Sequence, residues 1–130
     1  MLITLDIETN TSHDNIWVVV TQDVDTGEVL EHYNSYTLEP LLLNCKGVIG
    51  HNIIGFDAPV LERVWGIHIP VDILIDTLVL SRLYNPSLEG GHSLDSWGKR
   101  FGDPKIDFDD YDGGLTPAMV DYCIQDVALT

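Results

Sequence analysis

Positive charge is scarce in this sequence. Six Lys and Arg stand against 21 Asp and Glu among 130 residues, a formal net charge of −15. A chain this anionic cannot draw in a polyanion by counterion release alone, which excludes a generic basic nucleic-acid-binding domain. Cysteine is scarce too. Cys45 and Cys123 are far apart, with no CxxC and no nearby histidine pair, so neither a disulfide framework nor a thiolate zinc site is suggested and free buried thiols are expected. No apolar run approaches the ~20 residues of a membrane span. The N-terminus MLITLDIET has no basic n-region and breaks its apolar run at Asp6, unlike a signal peptide. Gly-rich phosphate loops, a GxSxG elbow, internal repeats and low-complexity stretches are also missing.

What is present is a folded composition. At 45% hydrophobic residues the chain is too apolar for an acidic disordered tail, and its length fits one domain spanning residues 1–130. The acids are spread evenly, 10 in residues 1–65 and 11 in residues 66–130, so no charged tail accounts for them. Four of the six bases, Arg82, Lys99, Arg100 and Lys105, fall in one near-neutral window.

Alternation makes Leu2 to Glu8 a strand, and the β-branched run Trp17 to Thr21 a second. Asp25-Thr26-Gly27 is a turn before a third, from Glu28 to Tyr36. Pro40 to Lys46 reads as a short helix closed by Gly47, then Val48 to His51 as a brief buried strand. Asp57-Ala58-Pro59 opens a helix with apolar positions Val60, Leu61, Val64 and Trp65. Asp76-Thr77 opens another, stopped by Asn85-Pro86, and Ser93 caps a third with Leu94, Trp97 and Phe101 on one face. An Asp-rich loop from Gly102 to Gly114 follows. Its EF-hand likeness fails, with glycine at the seventh position and Ala118 where the bidentate Glu belongs. Thr116-Pro117 then opens a terminal helix with the stripe Val120, Cys123, Ile124 and Val127. Antiparallel strands first, then alternating strands and helices, make this an α/β fold with a mixed sheet and flanking helices.

Asp6 and Glu8, two apart on a strand, leave the same face. Buried together they repel, a penalty that a divalent cation removes. Taken alone, the pair also reads as Glu8 in solvent past the strand end and Asp6 at a turn. Tyr122 and Asp126, four apart on the last helix, are neighbours on one face, where Asp126 also reads as a solvated acid. Asp57 has the look of an N-cap. Of the five histidines none share a ligand spacing, and His51 also reads as a strand-end residue bonded to backbone.

In combination, DIET (from Asp6), HNIIGFDAPVL (from His51) and YCIQDVALT (from Tyr122) resemble the three exonuclease motifs of the DEDDy, or DnaQ-like, 3′ to 5′ exonucleases. IDTLVLSRLYNP and HSLDSWGKRFG are similar to the corresponding segments in the proofreading domains of bacteriophage family A DNA polymerases. The resemblance implies an RNase H-like fold. It also implies hydrolysis of single-stranded DNA from a 3′ end to nucleoside 5′-monophosphates, with two divalent cations, Mg²⁺ or Mn²⁺. By the same resemblance Asp6 bridges both ions, Glu8 and Asp126 complete the first, Asp57 acts mainly through water on the second, and Tyr122 orients the attacking water. His51, Asn52, Lys99 and Arg100 are candidate substrate contacts, and Asp76 is a helix cap or a support of the site. A polymerase domain or subunit is the expected partner and the cytoplasm, of a host cell if phage-encoded, the expected location. Two alternatives share the fold: a non-catalytic accessory or binding module of a replication complex, and an oligoribonuclease-like RNA exonuclease.

Overall fold

The computed structural model describes residues 1–102, 105 and 108–130. Five strands, β1 (Leu2–Thr9), β2 (Ile16–Asp23), β3 (Val29–His32), β4 (Gly47–Gly50) and β5 (Leu74–Asp76), form one sheet in the order β3-β2-β1-β4-β5. The β1–β2 and β2–β3 pairs are antiparallel, whereas β1–β4 and β4–β5 are parallel. This is the mixed sheet expected from the sequence. Among the described residues five α-helices flank it: α1 (Ser35–Leu43), α2 (Ala58–Val60), α3 (Thr77–Tyr84), α4 (Leu94–Phe101) and α5 (Pro117–Leu129). No helix among the described residues is long and apolar enough to cross a membrane.

Strand alternation divides the core in two. Ile3, Leu5 and Ile7 of β1 point to one face, where they pack with Leu38 and Leu42 of α1 and with Ile53, Val60 and Leu61. Each such side chain contributes roughly 1.5–3 kcal/mol on burial. The opposite face carries a smaller cluster, Val18 and Val20 of β2 with Cys123 and Val127 of α5. On this face Asp6 lies opposite Val20 and Glu8 opposite Val18 in the β1–β2 register. The strand therefore delivers both carboxylates to the underside of α5.

Four details differ from the sequence reading. The first helix begins at Ser35, where the Asn34 side chain accepts the Tyr36 N–H, and it carries Pro40 inside it, not at its start. Asp57 is no N-cap: α2 is continued by π-helical turns at Ile53–Asp57 and Leu61–Trp65, and the Asp57 side chain makes no capping bond. Strand β5 was hidden by its length, three residues leading directly into α3. On α5 the buried residues are Met119, Cys123, Asp126 and Val127, so the inward face is turned from the expected stripe and includes an acid. Part of the Asp-rich loop (103, 104, 106 and 107) lies outside the described residues.

Candidate active site

The parallel pairing of β1 with β4 runs only from Leu2–Gly47 to Thr4–Ile49. Past it β4 ends at Gly50, where any Cβ would sit 2.7 Å from the Ile53 Cβ, so the chain can turn back tightly only with glycine there. Asn52 takes the left-handed conformation (φ 62°) and the Ile53–Asp57 turn fills the space that β4 vacates beside Asp6 and Glu8. Asp57 ends that turn and is buried. Helix α5 closes the site from above with Tyr122 half-buried and Asp126 buried. Four acids from three separate chain segments thus meet at the end of β1. Glu8 lies within its strand, 6% exposed, and Asp126 is 4% exposed, so neither is the solvated acid it might be in isolation.

The acids are close. Ligand atoms of Asp6, Glu8 and Cys123 all lie within 4.8 Å of one another. The Cys123 thiol donates to the backbone oxygen and to Oδ2 of Asp6, both at 3.5 Å. Burial, then the charges of Asp126 and Glu8, push the Asp6 carboxyl well above the usual range. Burial, then Asp6, does the same to Asp57, with the backbone N–H groups of Asp57 and Ile7 pulling the other way. Glu8 rises from 4.5 to about 8, first through burial and then through Asp126. Burial raises Asp126 too, against the pull of Lys105. Such a cluster is stable only with protons or with a cation among its oxygens. Oδ2 of Asp57 is buried with no hydrogen-bond partner among the described residues, an acceptor without its complement. An all-carboxylate set with an open acceptor fits a hard divalent cation such as Mg²⁺ or Mn²⁺. Burial raises the Cys123 thiol, so it offers no soft thiolate to compete for that choice.

Tyr122 has its hydroxyl pushed up to about 12 by burial and then by Asp126, and it interacts with Tyr111. Phe108 packs against its ring at 5.6 Å between centroids. The Lys105 ammonium lies 3.2 Å from Asp126 Oδ1 and 4.6 Å from the centre of the Tyr122 ring.

Asp76 holds the neighbouring backbone. Its carboxylate accepts the N–H groups of Asn52 (2.9 Å), Ile54 (3.1 Å), Leu78 (2.9 Å) and Val79 (3.4 Å), which makes it both the cap of α3 and the anchor of the turn bearing Asp57. His51 Nδ1 pairs with the Thr77 hydroxyl at 2.8 Å, and burial lowers the pKa of its ring, against the opposing pull of the His92 backbone. His51 and Asn52 line a cavity of about 460 Å³ together with Asp6, Asp126, Arg82 and Lys105. A smaller recess of about 260 Å³, lined by Glu8, Thr9, His13, Phe56 and Tyr111, lies on the other side of Glu8. Lys99 and Arg100 line neither. Lys99 pairs with Asp95 one turn earlier on α4, and Arg100 stacks over Trp97 while donating to the carbonyls of Glu89 and Gly91.

The structure thus gathers Asp6, Glu8, Asp57, Tyr122 and Asp126, sets His51 and Asn52 in the wall of the larger cavity, and leaves Lys99 and Arg100 outside both cavities. Of the near-neutral basic window, it is Lys105 that reaches the acids. The signal for that residue was in the sequence: it is the only Lys or Arg after Arg100, set before an Asp-rich stretch.

No protein-family model matches the chain. It is 26% identical to the DNA-directed DNA polymerase of Escherichia phage T7 in an alignment of 178 positions covering 99% of this chain and 25% of the polymerase. It is 28% identical to that of Enterobacteria phage T3, over 64% of this chain and 18% of the polymerase. The chain therefore spans a quarter or less of the length of the phage polymerases it matches. Among solved structures, the family B DNA polymerase of the archaeon Pyrobaculum calidifontis superposes with a TM-score of 0.77 at 15% identity, covering 99% of this chain and 23% of that one. Exonuclease X in complex with 5′ overhanging duplex DNA gives 0.59 at 18% identity, covering 99% of this chain and 89% of that one. Phi29 DNA polymerase complexed with single-stranded DNA gives 0.66 at 16%, covering 98% and 29%. The chain thus has an RNase H-like fold similar to that of exonuclease domains, and it is similar in sequence to one region of the phage T7 and T3 polymerases.

Proposed function

We propose that the protein is a metal-dependent 3′ to 5′ exonuclease that removes nucleoside 5′-monophosphates from single-stranded DNA ends, in the manner of a proofreading domain. The observation that carries this reading is the convergence of four mutually repelling carboxylates, Asp6, Glu8, Asp57 and Asp126, in one buried site with an unpartnered acceptor. A binding module has no reason to maintain that cost. Its phage polymerase relatives and its likeness to nucleases and polymerases with bound DNA support the same reading. So does the solution of a further neighbour, the EXD2 exonuclease domain (TM-score 0.51), soaked in Mg and dGMP.

Asp6 and Glu8 on β1, Asp57 and Asp126 would hold two divalent cations. Those ions, when bound, activate the attacking water and offset charge on the departing 3′ oxygen. The chain's own groups do the rest. Tyr122, protonated at neutral pH because burial and Asp126 keep its proton on, orients the attacking water by hydrogen bonding and does not act as its base. The recess beside Glu8, with Phe56 and His13 in its wall, is large enough for part of a terminal nucleotide, and the larger cavity bounded by Arg82, Lys105 and Asn52 receives the strand behind it. Because the chain is strongly anionic overall, its own grip on DNA is weak, and a polymerase domain or subunit supplies the remainder. The protein acts in the cytoplasm, that of a host cell if it is phage-encoded.

The test is a 5′-labelled single-stranded oligonucleotide, as DNA and as RNA, incubated with Mg²⁺ or Mn²⁺ and with chelator. A ladder shortening from the 3′ end of the DNA, absent with chelator and with Asp6→Asn, is the expected result. Degradation of RNA alone shifts the substrate assignment. No degradation by a folded, cation-loaded protein overturns the nuclease reading.

A further inference from the structure

Beside the acid cluster lies a basic group whose position is not that of a surface lysine. The Lys105 side chain is only 16% exposed, its ammonium sits 3.2 Å from Asp126 Oδ1, and the face of the Tyr122 ring lies 4.6 Å away. It lines the same cavity as Asp6 and Asp126. Each of the remaining lysines, Lys46 and Lys99, is exposed, so burial of this one is specific to the site. A buried ammonium is held only by a good anionic partner, and here that partner is a carboxylate the nuclease reading assigns to a cation.

We infer that Lys105 is a tethered stand-in for a divalent cation: it holds Asp126 in the cluster while no metal is bound and is displaced from that carboxylate when metal enters. The inference rests on the metal site of the proposed function and adds what the chain does without metal. An ammonium and a divalent ion compete for the inner side of Asp126, since their like charges repel at such close range. Lys105 is then an intramolecular competitor, and by thermodynamic reciprocity whatever it contributes to the metal-free site is lost from metal affinity. Its release also uncovers the Tyr122 ring.

Two measurements on the whole chain test this without reference to nuclease activity. The first is mass-spectrometric footprinting of the wild type with acetic anhydride, in chelator and with saturating Mn²⁺. Lys105 should be protected in chelator and should react several-fold faster with Mn²⁺, while Lys46 and Lys99 serve as internal controls. The second is calorimetric titration of wild type and Lys105→Met with Mn²⁺, where the variant should bind about tenfold tighter, the worth of ~1.4 kcal/mol. Unchanged Lys105 reactivity at saturating Mn²⁺ overturns the inference whatever the variant does, and leaves the metal site standing. Failure of the wild type to bind Mn²⁺ at all overturns the metal site, and this inference with it.

Discussion

Asp76 accepts the backbone N–H of Asn52 at 2.9 Å, joining the turn after β4 to the start of α3 across 24 residues of chain. Three more N–H groups share the same buried carboxylate. Replacing it with Ala leaves those donors without partners and frees the turn that carries Asp57. Asp76→Ala should lose about 2–4 kcal/mol in a denaturant titration. It should also weaken Mn²⁺ binding, although Asp76 touches no cation. Full Mn²⁺ affinity in a folded Asp76→Ala protein would show that Asp57 is placed by other means.

The proton affinities of the cluster set a pH dependence. Glu8 rises from 4.5 to about 8, and Asp6 and Asp57 move in the same direction. A carboxylate that holds its proton more tightly when folded stabilises the fold below its unfolded pKa, and that contribution is lost as pH rises through the folded value. In chelator the melting temperature should therefore fall between about pH 4.5 and pH 8. With saturating Mg²⁺ the fall should largely vanish, because the cation takes over from the protons. Thermal melts across that range, with and without Mg²⁺, check both halves.

Neutralising one member of a repelling set should stabilise the metal-free protein while removing function. Asp6→Asn keeps the side-chain shape and should gain about 0.5–2 kcal/mol in chelator at pH 8. Nuclease activity should drop by about 10²-fold or more. Asp126→Asn should gain less stability, because Lys105 then loses its partner. Equal gains from the two variants would argue against that pair.

Tyr122→Phe retains the ring that packs on Phe108 and under Lys105 and loses only the hydroxyl. Turnover should fall by about 10–10²-fold through poorer orientation of the attacking water. Mn²⁺ affinity and melting temperature should stay close to wild type. A matching loss of metal affinity would mean that the hydroxyl supports the acids themselves.

The strands and capped helices with strong local signals were legible in the sequence. Alternation marked β1 and a β-branched run marked β2, Asp76 and Ser93 the starts of α3 and α4, and Thr116-Pro117 that of α5. The acids on β1 and α5 could be paired because spacings of two and four fix a common face. What escaped was set by tertiary contacts. The turn at Ile53–Asp57 starts from a left-handed Asn52 and is held by Asp76, 24 residues away, so no periodicity announces it. Pro40 drew the start of α1 away from the Asn34 cap, although that cap was visible as a residue type. Lys105 approaches Asp126 through a loop with no repeat of its own, and no spacing rule connects the two.

The sheet's two apolar clusters are unequal, and α5 sits on the smaller one. Its purely apolar hold on the sheet is Val18 and Val20 against Cys123 and Val127, whereas the opposite layer is fastened by residues from β1, α1, β4 and the 53–65 segment. The same helix carries Asp126 toward acids that repel it. Seating α5 on the sheet therefore works against repulsion that protons, a cation or the Lys105 ammonium beside Asp126 would offset. Amide-hydrogen exchange in α5 should therefore slow when Mn²⁺ is added to protein in chelator, which makes the backbone of this helix a reporter of whether the site is loaded.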